Sequence, residues 1–320
     1  MHPTGEQQFQ DATAGRLPAA EVFRDGICSI PLPRPGPPPY TLCYALTDSR
    51  GAVHLIDPGV SSEENWALLG DGIAMLGRTM EDVATVTVTH LHSDHLGMAA
   101  RIARFARARV AMHGAEQSAL NRLLSTGPPI PSLARWGVPA DAIAPLLAVA
   151  RGRDYPAIAA DRLLSDGGTL DIPGRVIRVI HTPGHTAGHI VLRDEREGLL
   201  FTGDHLLPDI FPGIGLGGET EHALMDYFSS LTRIGDFDDD EACPGHGYRF
   251  REISSRVDET RTHQVARTRE VARIVLATPA ASVWEVATNL SWTRGWEGLS
   301  TAHRLSALQQ TEMRMVYLGG

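Results

Sequence analysis

The stretch Val86-Thr87-Val88-Thr89-His90-Leu91-His92-Ser93-Asp94-His95-Leu96-Gly97 sets three histidines and one aspartate within six positions. Imidazole nitrogen and carboxylate oxygen are the donors that zinc and its neighbours take. The β-branched residues before His90 favour extended backbone. On an extended strand end His90 and His92, two apart, project the same way. Ser93 or Asp94 is positioned to cap the apolar run that follows as a helix. Asp94 and His95 lie past the turn, where the chain can bring them to a second point. The spacing suits two adjacent metals, one gripped by His90 and His92 and the other by Asp94 and His95.

Three later stretches carry the same kinds of donor. In His181-Thr182-Pro183-Gly184-His185-Thr186-Ala187-Gly188-His189 a Pro-Gly turn holds His185 above a sheet edge. Phe201-Thr202-Gly203-Asp204-His205 closes a strand, and Pro244-Gly245-His246-Gly247 closes the last one. Each is a strand, a glycine turn and a ligand-type residue. Open sheets place their sites at the carboxyl ends of strands, so all are expected to converge on one cleft. His181, His189 and His205 flank ligands and read as supporting or packing residues. His54, His113, His222, His263 and His303 have no motif context and read as surface or core residues.

The elements that must position these residues follow from pattern. Residues 1–20 read as a loosely ordered tail. Strands are expected over 27–30 and 40–47, separated by prolines that oppose regular pairing. Another strand, 52–57, breaks at Asp57-Pro58-Gly59, and a helix capped by Ser61 or Ser62 covers 61–76. The strand to His90, a helix over 96–107 and a short strand over 109–112 come next. Residues 115–160 read as an inserted helical block, interrupted by Pro128, Pro129 and Pro131, of the kind that often covers an active site. Strands then return over 169–172, 176–181, 189–193 and 199–202, followed by a helix over 221–233 and a strand ending before Pro244. Two similar halves result, each a sheet with helices outside. Residues 251–320 are helical, over 251–277, 282–290 and 302–317. They suit a brace, a dimer contact or a winged-helix-like extension.

At 320 residues with 42% hydrophobic content the chain can bury a large core. The net charge of −9 repels phosphate backbones and argues against a nucleic-acid partner. The sequence contains no lysine, so all 29 basic residues are arginine. Three scattered cysteines imply neither a disulfide framework nor a cysteine-based zinc knuckle, and suit a reducing cytoplasm. No apolar run approaches the roughly 20 residues needed to cross a bilayer, and residues 1–16 lack the apolar core of a signal peptide.

Asp57, His90-x-His92-x-Asp94-His95, His185, Asp204 and His246, in this order, resemble the metallo-β-lactamase superfamily over about residues 25–250. The resemblance implies an α+β fold, a four-layer αββα sandwich over residues 21–250, with the C-terminal helices as an extension. It implies that His90, His92 and His185 hold one metal, that Asp94, His95 and His246 hold the second, and that Asp204 bridges them. Asp57 would be a buried group that orients the histidine-bearing loop.

Two adjacent cations lower the pKa of a shared water from about 15.7 to near 7, so hydrolysis is the expected chemistry. Asp94 is placed to relay a proton to the leaving group, and Asp204 to hold both metals in register. True lactamases of the superfamily lack an aspartate at the position of Asp204, whereas glyoxalase II, the lactonases and the phosphodiesterase branches have it. Antibiotic hydrolysis is therefore not expected. The basic residues with which glyoxalase II grips glutathione are not evident, nor is the clamping domain of the nuclease branches. Residues His263 through Trp284 to Tyr317 are similar to the small helical domain of lactamase-β-like proteins, some of them ribonucleases and others thioesterases. The apolar insert with Trp136, together with Leu207 and Phe211, suits an acyl pocket. The expected function is a dinuclear zinc hydrolase of a small ester-like molecule, thioester or lactone first, with iron or manganese acceptable to the same donors. A phosphodiesterase or ribonuclease is the alternative, and a non-enzymatic metal-stabilised scaffold the third. A small-molecule partner, no membrane and an open question of homo-oligomerisation complete the expectation.

Overall fold

The computed structural model describes residues 1–126, 133–151, 155–218 and 222–319. In chain order these form β1 (His2–Pro3), α1 (Glu6–Thr13), β2 (Glu21–Arg24), β3 (Ile27–Pro33), β4 (Tyr40–Thr47) and β5 (Val53–Ile56). Next come α2 (Glu63–Ala74), β6 (Val83–Thr87), α3 (Ser93–Leu96), α4 (Ala99–Ala106), β7 (Arg109–His113), α5 (Gly114–Thr126) and α6 (Ala140–Arg151). Then follow β8 (Arg162–Leu164), β9 (Ile177–His181), β10 (Ile190–Asp194), β11 (Leu199–Gly203), α7 (Ala223–Gly235), β12 (Glu241–Pro244) and β13 (Phe250–Arg251). The chain closes with α8 (Ile253–Ala277), α9 (Val283–Thr288) and α10 (Thr301–Gly319). The prolines expected to interrupt the insert, Pro128, Pro129 and Pro131, lie outside the described residues.

The strands make two sheets, β2-β3-β4-β5-β6-β7-β8 and β1-β13-β12-β11-β10-β9. Alternation along each strand decides what lies on either face. In β4, Tyr40, Leu42, Tyr44 and Leu46 point into the layer between the sheets, where they meet Ile190 and Leu192 of β10 and Phe201 of β11. Cys43 and Ala45 point outward, onto Leu69 and Ile73 of α2 and Ile102 of α4. In the second sheet Val191 and Leu200 point outward, onto Leu224, Tyr227 and Leu231 of α7 and Val257 of α8. Both faces of both sheets are buried, which gives four layers, αββα.

The C-terminal helices cover the insert. Trp136 and Leu146 pack with Val283 and Ala287 of α9 and Leu305 and Leu308 of α10. Among the described residues nothing after Arg251 is a strand, so the winged-helix-like option has no wing. No helix among them is long and apolar enough to cross a membrane.

Other expectations are corrected. The N-terminal residues are not a loose tail. β1 pairs with β13, and Gln8 and Asp11 of α1 are buried. The Arg249 amide donates to Gln8 Oε1 at 3.0 Å, and Phe9 meets Tyr248 edge-on at 4.9 Å. The prolines after Ile30 do not stop the strand either. Pro31 pairs with Leu42 and Pro33 with Tyr40. β2 covers β3 only as far as Ser29, so the N–H groups that Pro31 and Pro33 lack would have faced an open edge. Residues 169–172 supply only an isolated bridge, Thr169 to Arg178. The added strand is β8, at the far edge of the first sheet.

Candidate metal centre

β6 stops at Thr87, and residues 88–92 run on without sheet pairing of their own. The Val88 amide donates to Ala111 O at 2.9 Å, and Thr89 O accepts from the Ile190 amide at 3.0 Å, so the segment is stitched to both sheets. His92 is the residue that precedes α3, and its side chain makes no capping bond. Ser93 and Asp94 lie inside the helix rather than capping it, which corrects the expected helix start. Asp94 is thereby turned toward the centre.

His185, Asp204 and His246 come from the ends of β9, β11 and β12. Gly184 has φ +137°, and a Cβ there would lie 2.6 Å from the Tyr227 Cα of α7, so only glycine lets His185 stand where it does. The Gly245 amide donates to Gly203 O at 2.8 Å, which sets His246 beside Asp204.

The seven side chains fall into two groups around one aspartate. His90, His92, His185 and Asp204 present one ligand atom each within 4.8 Å of one another, and so do Asp94, His95 and His246. Asp204 Oδ2 lies 3.7 Å from His185 Nε2 and 4.0 Å from His90 Nε2. Its Oδ1 lies 3.3 Å from His95 Nε2 and 3.2 Å from His246 Nε2. One carboxylate thus turns an oxygen toward each group. His92 is the least buried of the seven.

The outward nitrogens of the histidines are all engaged, and this fixes the protonation of the inner ones. His92 Nε2 donates to Leu216 O at 3.1 Å and His185 Nδ1 to Gly213 O at 2.7 Å. The Thr89 hydroxyl donates to Asp57 Oδ2 at 2.6 Å, so its oxygen accepts from His90 Nδ1 at 3.0 Å. His90 Nε2, His92 Nδ1 and His185 Nε2 are then bare lone pairs, and they meet at 3.0 and 3.1 Å. No proton separates them, so a cation is what this arrangement accommodates. On the other side His246 Nδ1 donates to Tyr40 O at 2.6 Å, and His95 Nδ1 to Asp57 Oδ2 at 2.8 Å. His95 Nε2 and Asp204 Oδ1 are buried and make no hydrogen bond. The donor set fits two metal ions.

Without cations the charges compensate locally. Burial opposes charge on His246, but Asp204 and Asp94 outweigh it and push it up to about 9. Burial opposes it on His95 too, and Asp204, Asp57 and Asp94 raise it well above the usual range. Burial would raise Asp204, but His246 and His95 hold it well below the carboxylate range. His90 is held neutral by burial and by its neighbours His95, His92 and His185.

Asp57 sits behind both groups. Its backbone is left-handed, φ 54°, a conformation aspartate tolerates better than most residues. Its Oδ1 accepts from the Thr89 amide at 2.7 Å, in addition to the Oδ2 bonds to Thr89 and His95.

Three supporting residues, Glu116, Thr89 and Arg34, were not foreseen. Glu116 of α5 is fully buried and joins two ligand loops. It accepts the Leu91 amide at 2.7 Å and the Gly188 amide at 2.6 Å. Burial pushes its carboxyl up to about 7, against those bonds. The signal for it was a lone acid on the face it shares with Ala119 and Leu120. Thr89 relays Asp57 to His90. His189, expected as a supporting or packing residue, accepts the Asp204 amide at 3.2 Å. Arg34 lies 3.0 Å from Asp94 Oδ2.

The residues expected to bind substrate are not among the ligands. Trp136 is 3% exposed, inside the packing between the insert and the C-terminal helices. Leu207 is buried, and its carbonyl accepts from Arg256 Nε at 2.7 Å. Phe211 is half-exposed and stacks on His263 at 3.9 Å.

The sequence profile of the Metallo-beta-lactamase superfamily matches residues 36–246. The crystal structure of a metallo-beta-lactamase family protein from Thermus thermophilus superposes with a TM-score of 0.78 at 27% identity, covering 93% of this chain and 94% of that one. The Beta-lactamase-like protein 2 homolog of Caenorhabditis elegans is 30% identical over 150 residues, 47% of each chain. A protein of Aspergillus fumigatus named atrochrysone carboxyl ACP thioesterase is 32% identical over 104 residues, 32% of this chain and 23% of that one. The match thus spans about half of the nematode protein and less than a quarter of the fungal one. By its profile, its layers and its donors, the chain belongs to the metallo-beta-lactamase superfamily.

Proposed function

We propose that the protein is a dinuclear metal-dependent hydrolase of a small acyl compound, a thioester or lactone. The observation that carries this reading is Asp204, whose two oxygens face two separate groups of histidine nitrogens. His90, His92 and His185 would hold one ion, Asp94, His95 and His246 the other, and Asp204 both. Zinc suits these nitrogen and oxygen donors, and iron or manganese would be accepted. When bound, such a pair supplies Lewis-acid polarisation of a carbonyl and an acidified water.

The protein's own groups do the rest. Asp57 and the Gly213, Leu216 and Tyr40 carbonyls keep each imidazole in one tautomer and orientation. Asp94 is kept ionised: burial opposes this, but His95, His246 and Arg34 outweigh it. Its free edge is placed to take a proton from water and pass it to a departing thiolate or alkoxide.

Two observations support an acyl substrate over a phosphodiester. The fungal relative is named as a thioesterase. Among the described residues Arg34 is the guanidinium found at the ligands, and it is committed to Asp94 and to Pro38 O at 2.9 Å. That guanidinium is not free to receive a phosphate backbone.

The test is metal analysis together with a panel of thioesters, lactones, bis(p-nitrophenyl) phosphate and single-stranded RNA. Two ions per chain, with thioester or lactone turnover abolished in Asp204→Asn, supports the reading. Turnover of the phosphodiesters alone would replace it with the phosphodiesterase alternative. No turnover by the fully loaded protein would favour a scaffold.

A further inference from the structure

We propose that the cavity between α8, α10 and the 207–213 loop is a binding site for a small oxyanion, a carboxylate or phosphate group. It encloses about 130 Å3. At about 30 Å3 per water this is room for some four waters, or for one such group.

The floor is Arg314 of α10, only 5% exposed. One of its terminal nitrogens donates to Gln264 Oε1 and the other to Gln310 O at 3.0 Å. Its Nε is buried with no acceptor, and no carboxylate among the described residues lies within 4.0 Å of the guanidinium. A buried cation without a counter-charge is costly and needs something to offset it. Arg267 lines the same cavity beside Trp292, its guanidinium 4.5 Å from the ring centroid. Arg256 stacks over Phe211, at the rim, at 4.5 Å. Two guanidiniums thus line one hollow of a protein whose net charge is −9. Arg267 pairs with Glu270 at 2.5 Å, and Arg256, behind Phe211, is held by Glu259 at 2.8 Å and by the Leu207 and Ile210 carbonyls. A planar fork with a free N–H, next to a second arginine, is the geometry that recognises carboxylate and phosphate.

The hollow adjoins the metal ligands without belonging to them. Pro212 forms part of its wall, and the next residue, Gly213, supplies the carbonyl that holds His185. The inference does not rest on the acyl reading. A plain bracing role for Arg314, tying α10 to α8 through Gln264, is the competing account.

The test titrates the full-length, metal-loaded protein with inorganic phosphate, sulfate and acetate, following tryptophan fluorescence and thermal midpoint, with chloride at equal ionic strength as control. Saturable binding is expected, weakened at least tenfold in Arg314→Met and in the half-buried Arg267→Gln. Should Arg314→Met fail to fold, Arg267→Gln carries the test. Binding must persist in Asp204→Asn. Loss there with retention in Arg267→Gln would place the anion at the metals and overturn the proposal. So would an absence of saturable binding, or unchanged affinity in both arginine variants. The source of the anion is read from kinetics. Phosphate that raises KM alone marks the cavity as the seat of a substrate's distal group, and phosphate that changes kcat alone marks a free anion.

Discussion

Asp57 Oδ2 lies 2.8 Å from His95 Nδ1 and 2.6 Å from the Thr89 hydroxyl, so one oxygen governs a histidine in each ligand group. Asp57→Asn keeps the size and tolerates the left-handed backbone. It puts an amide where either the Thr89 amide or the His95 N–H now donates. The expected result is a folded protein whose metal affinity is about 10–100-fold weaker. Calorimetric metal titration checks this, and unchanged affinity would mean that Asp57 only shapes the turn.

Glu116 is a second brace, between the loop of His90 and His92 and the loop of His185. Glu116→Ala strands two buried amides, at about 1–3 kcal/mol each. Glu116→Gln strands one. Stability should fall in the order wild type, Gln, Ala in urea denaturation, with metal affinity falling in step.

Gly97 closes the first ligand motif. A Cβ there would lie 2.5 Å from Ser93 O, 2.7 Å from Gly59 O and 2.9 Å from the Ser61 amide, all backbone. Its φ is ordinary, so crowding and not strain is the reason for glycine. Gly97→Ala should cost about 2 kcal/mol through overpacking. A denaturation midpoint equal to wild type would refute this.

His263 couples stability to pH. Burial, and then Arg267, Arg314 and Arg256, lower it from 6.5 to about 4. Between those two values the unfolded chain binds a proton that the folded one refuses. Its contribution is therefore constant above pH 6.5 and is lost as pH falls toward 4. His263→Gln should flatten the stability profile in that window by up to one proton, with no change above pH 7.

The clustering of the donor residues was legible because each sits in a short motif whose spacing and turn are local. The two sheet-and-helix halves were legible because their strands alternate or run apolar, and their stacking into a sandwich followed from the family resemblance of the donor motifs. What escaped depends on partners distant in sequence. Glu116 reads as an ordinary helical acid until Leu91 and Gly188, 25 and 72 positions away, are seen to need an acceptor. Pro31 and Pro33 look like strand breakers until it is known that β2 pairs with β3 only as far as Ser29. Trp136 reads equally well as pocket or packing, and only the arrival of α9 and α10 decides which. α1 is short and polar, and it is held by Tyr248 and Arg249, which no local pattern announces.

The carbonyls that aim His185 and His92 lie on a loop that α8 grips from outside, through Arg256 to Leu207 O and Ile210 O and through Gln264 to Pro212 O. A chain cut after Arg251 would retain every donor atom and the whole of both sheets, yet lose the tether on that loop. Such a fragment should fold and still hold its cations loosely, on the side of His92 and His185 first. In this protein the appended helices thereby hold, at one remove, the loop against which two of the clustered histidines rest.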